Sequence, residues 1–307
     1  MSSDNLLKYL LKKYPDKNWD WDALSKNENI TIEFIEEHPD YPWSILDIYS
    51  NPNITMEFIE KQDEMLDWVY LSGNKSINID IISNKNKPWE YGANGVSSNP
   101  NITIDFIQKN ADKPWHWGYE GISSNTFLTF EIIKKHREMP WNFCAISDHP
   151  NITMNDIEEN LDFPWSFRDI SYNPNITIDF VEKYNNIDWN WCGLSYNLPI
   201  TKEFIEKYFP HLYWCGISNN KNIMMNFVEE NPQYPWSFIG LSYNENITLE
   251  FIEKNIDKID FRCLSSNTFA YHNKKVRIMH EKVKMFNYLT SSKIVYDIQR
   301  YIVTKFI

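Results

Sequence analysis

Thirteen tryptophans, four cysteines, seven histidines and a run of regularly placed serines are the residues of this 307-residue chain whose types could do chemistry. Indoles stack on bases and sugars, four thiols can hold zinc, and a serine or cysteine beside a base can act as a nucleophile. The spacings argue against each. Cys144, Cys192, Cys215 and Cys263 contain no Cys-x-x-Cys pair, and all four fall near one position of a repeat. Neighbouring copies, separated by a helix diameter of roughly 10 Å, lie beyond disulfide reach, so core thiols are expected. None of His38, His116, His136, His149, His211, His272 and His280 makes a His-x-x-x-His or His-Glu-x-x-His pattern, and the eight glycines form no phosphate-binding loop. The reading is a non-enzyme with no metal and no cofactor.

The serines and tryptophans follow the period of the chain itself. Asn27, Asn51, Asn74, Asn99, Asn125, His149, Asn173, Asn197, Asn220, Asn244 and Asn267 mark copies of one unit, 23 to 26 residues apart with a mean of 24. Ten serines, from Ser25 to Ser265, recur in the same phase, so no single hydroxyl stands out as a nucleophile; hydrogen bonds to the turn are their expected role. The tryptophans occupy a single segment of the unit, as a packed aromatic ladder would, with Trp21, Trp117 and Trp191 expected to be partly exposed. Asn-Ile-Thr at Asn29, Asn53, Asn101, Asn151, Asn175 and Asn246 is formally a glycosylation sequon, but its recurrence in the repeat assigns it to structure.

Within a unit, the pattern predicts two short helices. In Asn101–Asn110, Thr103 is placed to cap a helix, Asp105 falls in its first turn where the helix dipole favours an anion, and Ile102, Phe106 and Ile107 share an apolar side. Pro-Trp then opens the second half, with proline expected at the first helical position. Helices this short are marginal alone, so each unit must bury its apolar side against the next. The fold class expected is all-α: an α-solenoid of about eleven 24-residue helix-turn-short-helix repeats, elongated to roughly 100 Å. Residues 1–26 read as an N-terminal capping half repeat, 27–266 as ten tandem repeats and 267–307 as a helical C-terminal cap.

The unit, with Asn-Pro-Asn, a threonine, an apolar helix and a second short helix, resembles the leucine-rich repeat variant, which stacks an α-helix and a 3₁₀ helix per repeat. Asn-Pro-Asn-Ile-Thr, Pro-Trp and Leu-Ser in a chain heavy in Asn, Ile, Lys and Tyr are also similar to uncharacterised tandem-repeat proteins of Mimivirus-like giant DNA viruses. That resemblance implies a viral protein acting in the host cytoplasm or carried in the virion, with a host or viral protein as its partner.

Where the pattern breaks, something other than packing is at work. Two neighbouring units carry insertions containing Gly92, Asn94, Gly95 and Gly118, Tyr119, Glu120, Gly121, which read as candidate protein-binding loops forming one patch. Asp156 holds a position that is phenylalanine in seven other units, so it needs a helix shift or a partner such as Arg168. The C-terminal segment carries Lys274, Lys275, Arg277, Lys282 and Lys284 in a chain of net charge -12 and reads as a candidate basic tail. Ile294, Ile298, Tyr301 and Ile302 give its far end an amphipathic face. The acidic balance disfavours nucleic acid except through that tail. No secretory signal and no membrane span are expected. Protein–protein interaction on a scaffold is the expected function; the alternative is nucleic-acid or glycan binding through exposed aromatics or the basic tail.

Overall fold

Threonine ahead of an apolar-acidic-aromatic triplet starts a helix in unit after unit. In the computed structural model, which describes residues 5–61, 66–83 and 87–291, Thr177 Oγ1 accepts from the Phe180 amide at 3.2 Å and Thr103 does the same for Phe106 at 3.2 Å. These caps open first helices such as Ile104–Lys109 and Ile178–Lys183. All regular structure among the described residues is helical, 21 α-helices and three short 3₁₀ turns.

The Pro-Trp pair behaves differently from expectation. It lies ahead of the second helix, whose N-cap is the following residue: Ser44 caps Ile45–Ile48 and Asn142 caps Phe143–Ser147. The indole explains the displacement. Trp43, Trp115, Trp141, Trp165, Trp189 and Trp236 each donate Nε1–H to the carbonyl five residues back, 2.7–3.1 Å away, at the end of the first helix. The tryptophan thus satisfies a carbonyl that the short helix leaves orphaned while its rings fill the core.

Three ladders join one unit to the next. In ten of the eleven units a serine near the end of the second segment is placed to accept the N-cap amide of the following unit, as in Ser44 to Ser25 (2.9 Å) and Ser166 to Ser147 (2.9 Å). The buried marker asparagine donates its carboxamide backward: Asn173 Nδ2 reaches the carbonyls of Ser147, His149 and Ile152 at 2.9, 3.2 and 3.1 Å. In several units the aromatic at the start of the second segment meets the next unit's tryptophan edge to face, as in Trp21–Trp43, Trp117–Trp141 and Trp214–Trp236. The serines therefore bond between units as well as within the turn. Most sequon asparagines donate backward too, Asn175 to Pro150 and Ile152.

The same ladders join the last unit to the first. Asp20 N–H donates to Ser265 Oγ at 3.0 Å, Asn27 Nδ2 to the carbonyls of Ser265 and Asn267 at 2.8 and 3.1 Å, and Asn29 Nδ2 to Thr268 O at 2.9 Å. Phe261 meets Trp19 edge to face, 4.9 Å between centroids and 84° apart. The chain is a closed ring of eleven units, not an open rod. At about 10 Å per layer its circumference is near 110 Å, a diameter of about 35 Å through the layer centres.

Closure revises both ends. Residues 5–26 form two complete helices, Leu6–Lys13 and Trp21–Lys26, but lack the marker loop; Asn267-Thr268-Phe269 are that loop without the helices. Together they make the eleventh unit, and neither segment covers a bare solenoid end. Phe269 is buried with φ 50°, a left-handed conformation that turns the chain out of the ring into a helix, Ala270–Ser291. The expected amphipathic face at 294–302 lies outside the described residues.

Substituted positions find local solutions. His149 stands in for a marker asparagine with one carbonyl contact: Nε2 faces Asn125 O at 3.1 Å and Nδ1 accepts from the Asn151 amide at 3.1 Å. Asp156 does not pair with Arg168. It turns back to the N-cap, accepting from Thr153 N–H at 2.8 Å and Thr153 Oγ1–H at 2.6 Å, while Phe130 and Phe163 fill the aromatic space around Trp165. Ahead of Leu198 the second helix runs one residue further, through Asn197, so Leu198 takes the buried slot and Asn197 donates to Tyr172 O instead.

Candidate functional site on the inner wall

A closed ring of two helix layers must crowd the layer at smaller radius. Neighbouring second helices pack side by side, Trp214–Asn219 on Phe238–Tyr243 and Trp21–Lys26 on Ile45–Ile48, and among the described residues no pair of first helices packs as closely. The second helices therefore form the inner wall. Small residues permit the approach: Ala23, Ala145, Gly193, Gly216 and Gly240 share one position, and a Cβ on Gly240 would stand 2.4 Å from Cys215 O. The first helices face outward, and Lys183–Glu158, Lys207–Glu182 and Lys254–Glu229 pair across them at 2.6–2.8 Å in exposed positions.

The inner layer also carries most of the ring's exposed apolar side chains. Ile45, Leu46, Val69, Tyr70 and Ile239 sit on second helices; Tyr172, Tyr213 and Tyr243 sit on them or at their ends. Leu46 and Ile239 are 49% and 52% exposed. Among the described residues, the ring's other large exposed apolar residues are Leu161 and Phe209, in linkers, and Tyr119, in an insertion loop.

Both insertions fall within this wall. Each replaces the second α-helix with a loop and a 3₁₀ turn, Val96–Ser98 and Ile122–Ser124. The loops touch: Asn94, at φ 58°, donates its amide to Glu120 O at 2.8 Å. Gly121 is required by a close approach, since a Cβ there would stand 2.1 Å from His116 O. Gly92, Gly95 and Gly118 belong to the same two turns, with Gly118 against the His116 ring.

Tyr119 carries the second loop towards two later units. Burial, then the carboxylates of Asp148 and Asp169, push its phenol up. Asp148 itself is raised to about 6, by burial first and by Asp169 second, and Asp169 accepts from Ser166 Oγ. Sequence reasoning missed this acidic pair. Its signal was an aspartate at 169 in the small-residue position held by alanine or glycine in seven other units.

The thiols also line this wall, which corrects the reading as core for three of them, Cys144 being exposed and Cys192 and Cys215 half-buried, while Cys263 is buried as expected. Burial pushes the Cys144 and Cys263 thiols up, away from the nucleophilic thiolate. Among the described residues no three His, Cys, Asp or Glu side chains are grouped to hold a metal.

The basic segment lies apart from the wall. Lys274, Lys275, Arg277, Lys282 and Lys284 are exposed on the final helix, with Lys275 over the Tyr271 ring at 4.7 Å, and of residues 274–285 only Val276 is buried. No helix among the described residues is long and apolar enough to cross a membrane. No protein-family model matches the chain, and no curated protein or solved structure shows significant similarity to it.

Proposed function

We propose that the protein is a non-enzymatic binding ring whose inner wall engages a protein partner. The supporting observation is the concentration of exposed aliphatic and tyrosine side chains on the second-helix layer, bordered by the two linked loops. Surfaces of this composition favour polypeptide ligands, because tyrosine and aliphatic groups gain from desolvation that a phosphate backbone does not offer. The net charge of -12 acts in the same direction. The likeness of its repeats to those of giant-virus proteins supports a viral protein whose partner belongs to the host or the virus, met in host cytoplasm or virion.

The test is affinity capture with quantitative mass spectrometry, comparing the native chain with Leu46→Glu/Ile239→Glu on the inner wall and Phe209→Ser in a linker. The expected result is one protein enriched by the native and linker forms and lost from the inner-wall form. Equal recovery by all three overturns the inner-wall assignment. A second reading rests on the exposed cations of Ala270–Ser291: nucleic-acid binding there shows as affinity that falls steeply with salt and disappears with Lys274→Ala/Lys275→Ala/Arg277→Ala.

A further inference from the structure

We propose that a cleft at the seam, on the linker edge of the ring, binds a small aromatic anion whose ring takes the place of a tryptophan that the last unit lacks. The repeat shows what is missing. Ile259 holds the position that is tryptophan in eight of the eleven units. Elsewhere an aromatic side chain two residues after that position meets a ring from the next linker, Trp21 with Trp43, Phe143 with Trp165 and Phe261 with Trp19. Where Leu212 replaces the tryptophan, His211 stacks on Trp191 in its stead, 5.0 Å between centroids. The last linker, 255–260, contains no aromatic residue, and what it sets over Phe238 is the Lys258 ammonium, 5.1 Å from the ring centroid. A cleft of about 630 Å³ results, within the usual range for a small-molecule site.

The lining selects the occupant. Phe238, Ile239 and Ile259 supply apolar surface, and Lys17, Lys258 and Arg262 supply three cations, none of them ion-paired among the described residues. Of the two carboxylates present, Asp260 is committed to the helix behind it, accepting from the amides of Arg262 and Cys263 at 2.9 and 3.1 Å, which leaves Asp257 against three positive charges. No hydrogen-bond donor is demanded of the ring. The carbonyl that accepts an indole N–H in other units is here Asn255 O, and in this shorter linker it takes the amides of Lys258 and Ile259 at 2.8 and 3.2 Å. An aryl carboxylate or phosphate suits both halves of the cleft, packing its ring edge to face on Phe238 and accepting charge-assisted hydrogen bonds from the cations. Lys17 belongs to the first segment of the chain, Lys258 and Arg262 to its last unit, so the occupant bridges the seam and favours the closed ring.

Titration calorimetry on the full chain tests this with 2-naphthoate and phenyl phosphate, with 2-naphthamide as the neutral ring and acetate as the anion without one. Naphthoate or phenyl phosphate should saturate one site with a Kd of about 1 mM or tighter, and the amide and acetate should each bind at least about tenfold more weakly. Which of the two anions binds better distinguishes a carboxylic acid from a phosphate ester. The saturated site should also slow amide exchange at Asp20 and Asn29, across the seam. Ile259→Trp, which restores the residue of the other units, should abolish binding without lowering Tm. Lys17→Ala/Arg262→Ala should weaken it severalfold with Tm unchanged, and decides the matter however the shorter linker accommodates an indole. Absence of saturable binding by either anion, equal binding of the amide or of acetate, unchanged exchange at the seam, or binding untouched by either variant each overturns the proposal.

Discussion

The interface between the units beginning at Asn125 and His149, spanned by Asn173 of the next unit, and the interface that closes the ring use the same parts. In the first, Ser166 N–H meets Ser147 Oγ, Asn173 donates to three carbonyls, and Phe143 meets Trp165 edge to face. In the second, Asp20 meets Ser265, Asn27 donates to two carbonyls and Phe261 meets Trp19. The difference is covalent. Peptide bonds carry the chain across the first, whereas the second is held by side chains and by a unit divided between the two ends. An internal interface therefore reports local packing, and the seam reports whether eleven units behave as one cooperative body.

The largest effect that would break this equivalence is deletion of residues 1–26. An open solenoid would lose one end unit and a few degrees of Tm; a ring loses its closing unit and exposes apolar faces on both sides of the gap. The expected outcome is loss of the soluble monomer on size exclusion. Next come Asn173→Leu and Asn27→Leu, which strand buried carbonyls and should each cost about 3 kcal/mol in urea denaturation. Equal midpoints mean that the seam unfolds with the whole. If the seam opens alone, Asn27→Leu leaves the midpoint unchanged and accelerates amide exchange at Asp20 and Asn29.

Smaller effects separate two neighbouring titrations on the internal side. Asp148 is raised from 3.8 to about 6, so between those values the folded chain holds a proton that the unfolded chain has lost. Its contribution is full below that window and gone above about pH 6. Asp148→Asn should therefore raise Tm at pH 7.5, with the gain vanishing by pH 4. Burial lowers His149 from 6.5, so the unfolded histidine gains a proton on acidification before the folded one does. Its contribution is full above pH 6.5 and falls with acid. His149→Asn, the residue used by the other units, should raise Tm at pH 5 and leave it unchanged at pH 8. The smallest effect is expected of Lys183→Ala and Lys13→Ala, exposed partners of Glu158 and Glu253 on an internal interface and on the seam. Neither should move the urea midpoint measurably.

The helix pair, the threonine caps and the packed tryptophans were legible because each follows from a few neighbouring residues. Closure was not, because it depends on a rotation of about 33° per unit, the small per-repeat angle that shapes any solenoid. Two signs of it stood in the sequence. Residues 5–26 lack a marker loop and 267–269 supply one, so the two incomplete ends add up to a single unit. The alanines and glycines at 23, 145, 193, 216 and 240 also call for a crowded layer on one side. The inner-wall loops were found as insertions. The Asp148–Asp169 pair was missed because a carboxylate in a small-residue position looks like ordinary surface variation until the layer is known to face inward.

The divided unit also orders events during synthesis. The helices Leu6–Lys13 and Trp21–Lys26 leave the ribosome ahead of the other ten units, yet Asn267, Thr268 and Phe269 emerge some 240 residues later. At about 5 to 20 residues per second, that leaves an interval of roughly 12 to 50 s in which the earliest helices wait for their loop. A chain stopped short of Phe269 never receives it. The ring thus carries its own check on complete translation, because only a message read past its last repeat yields a molecule without an exposed edge.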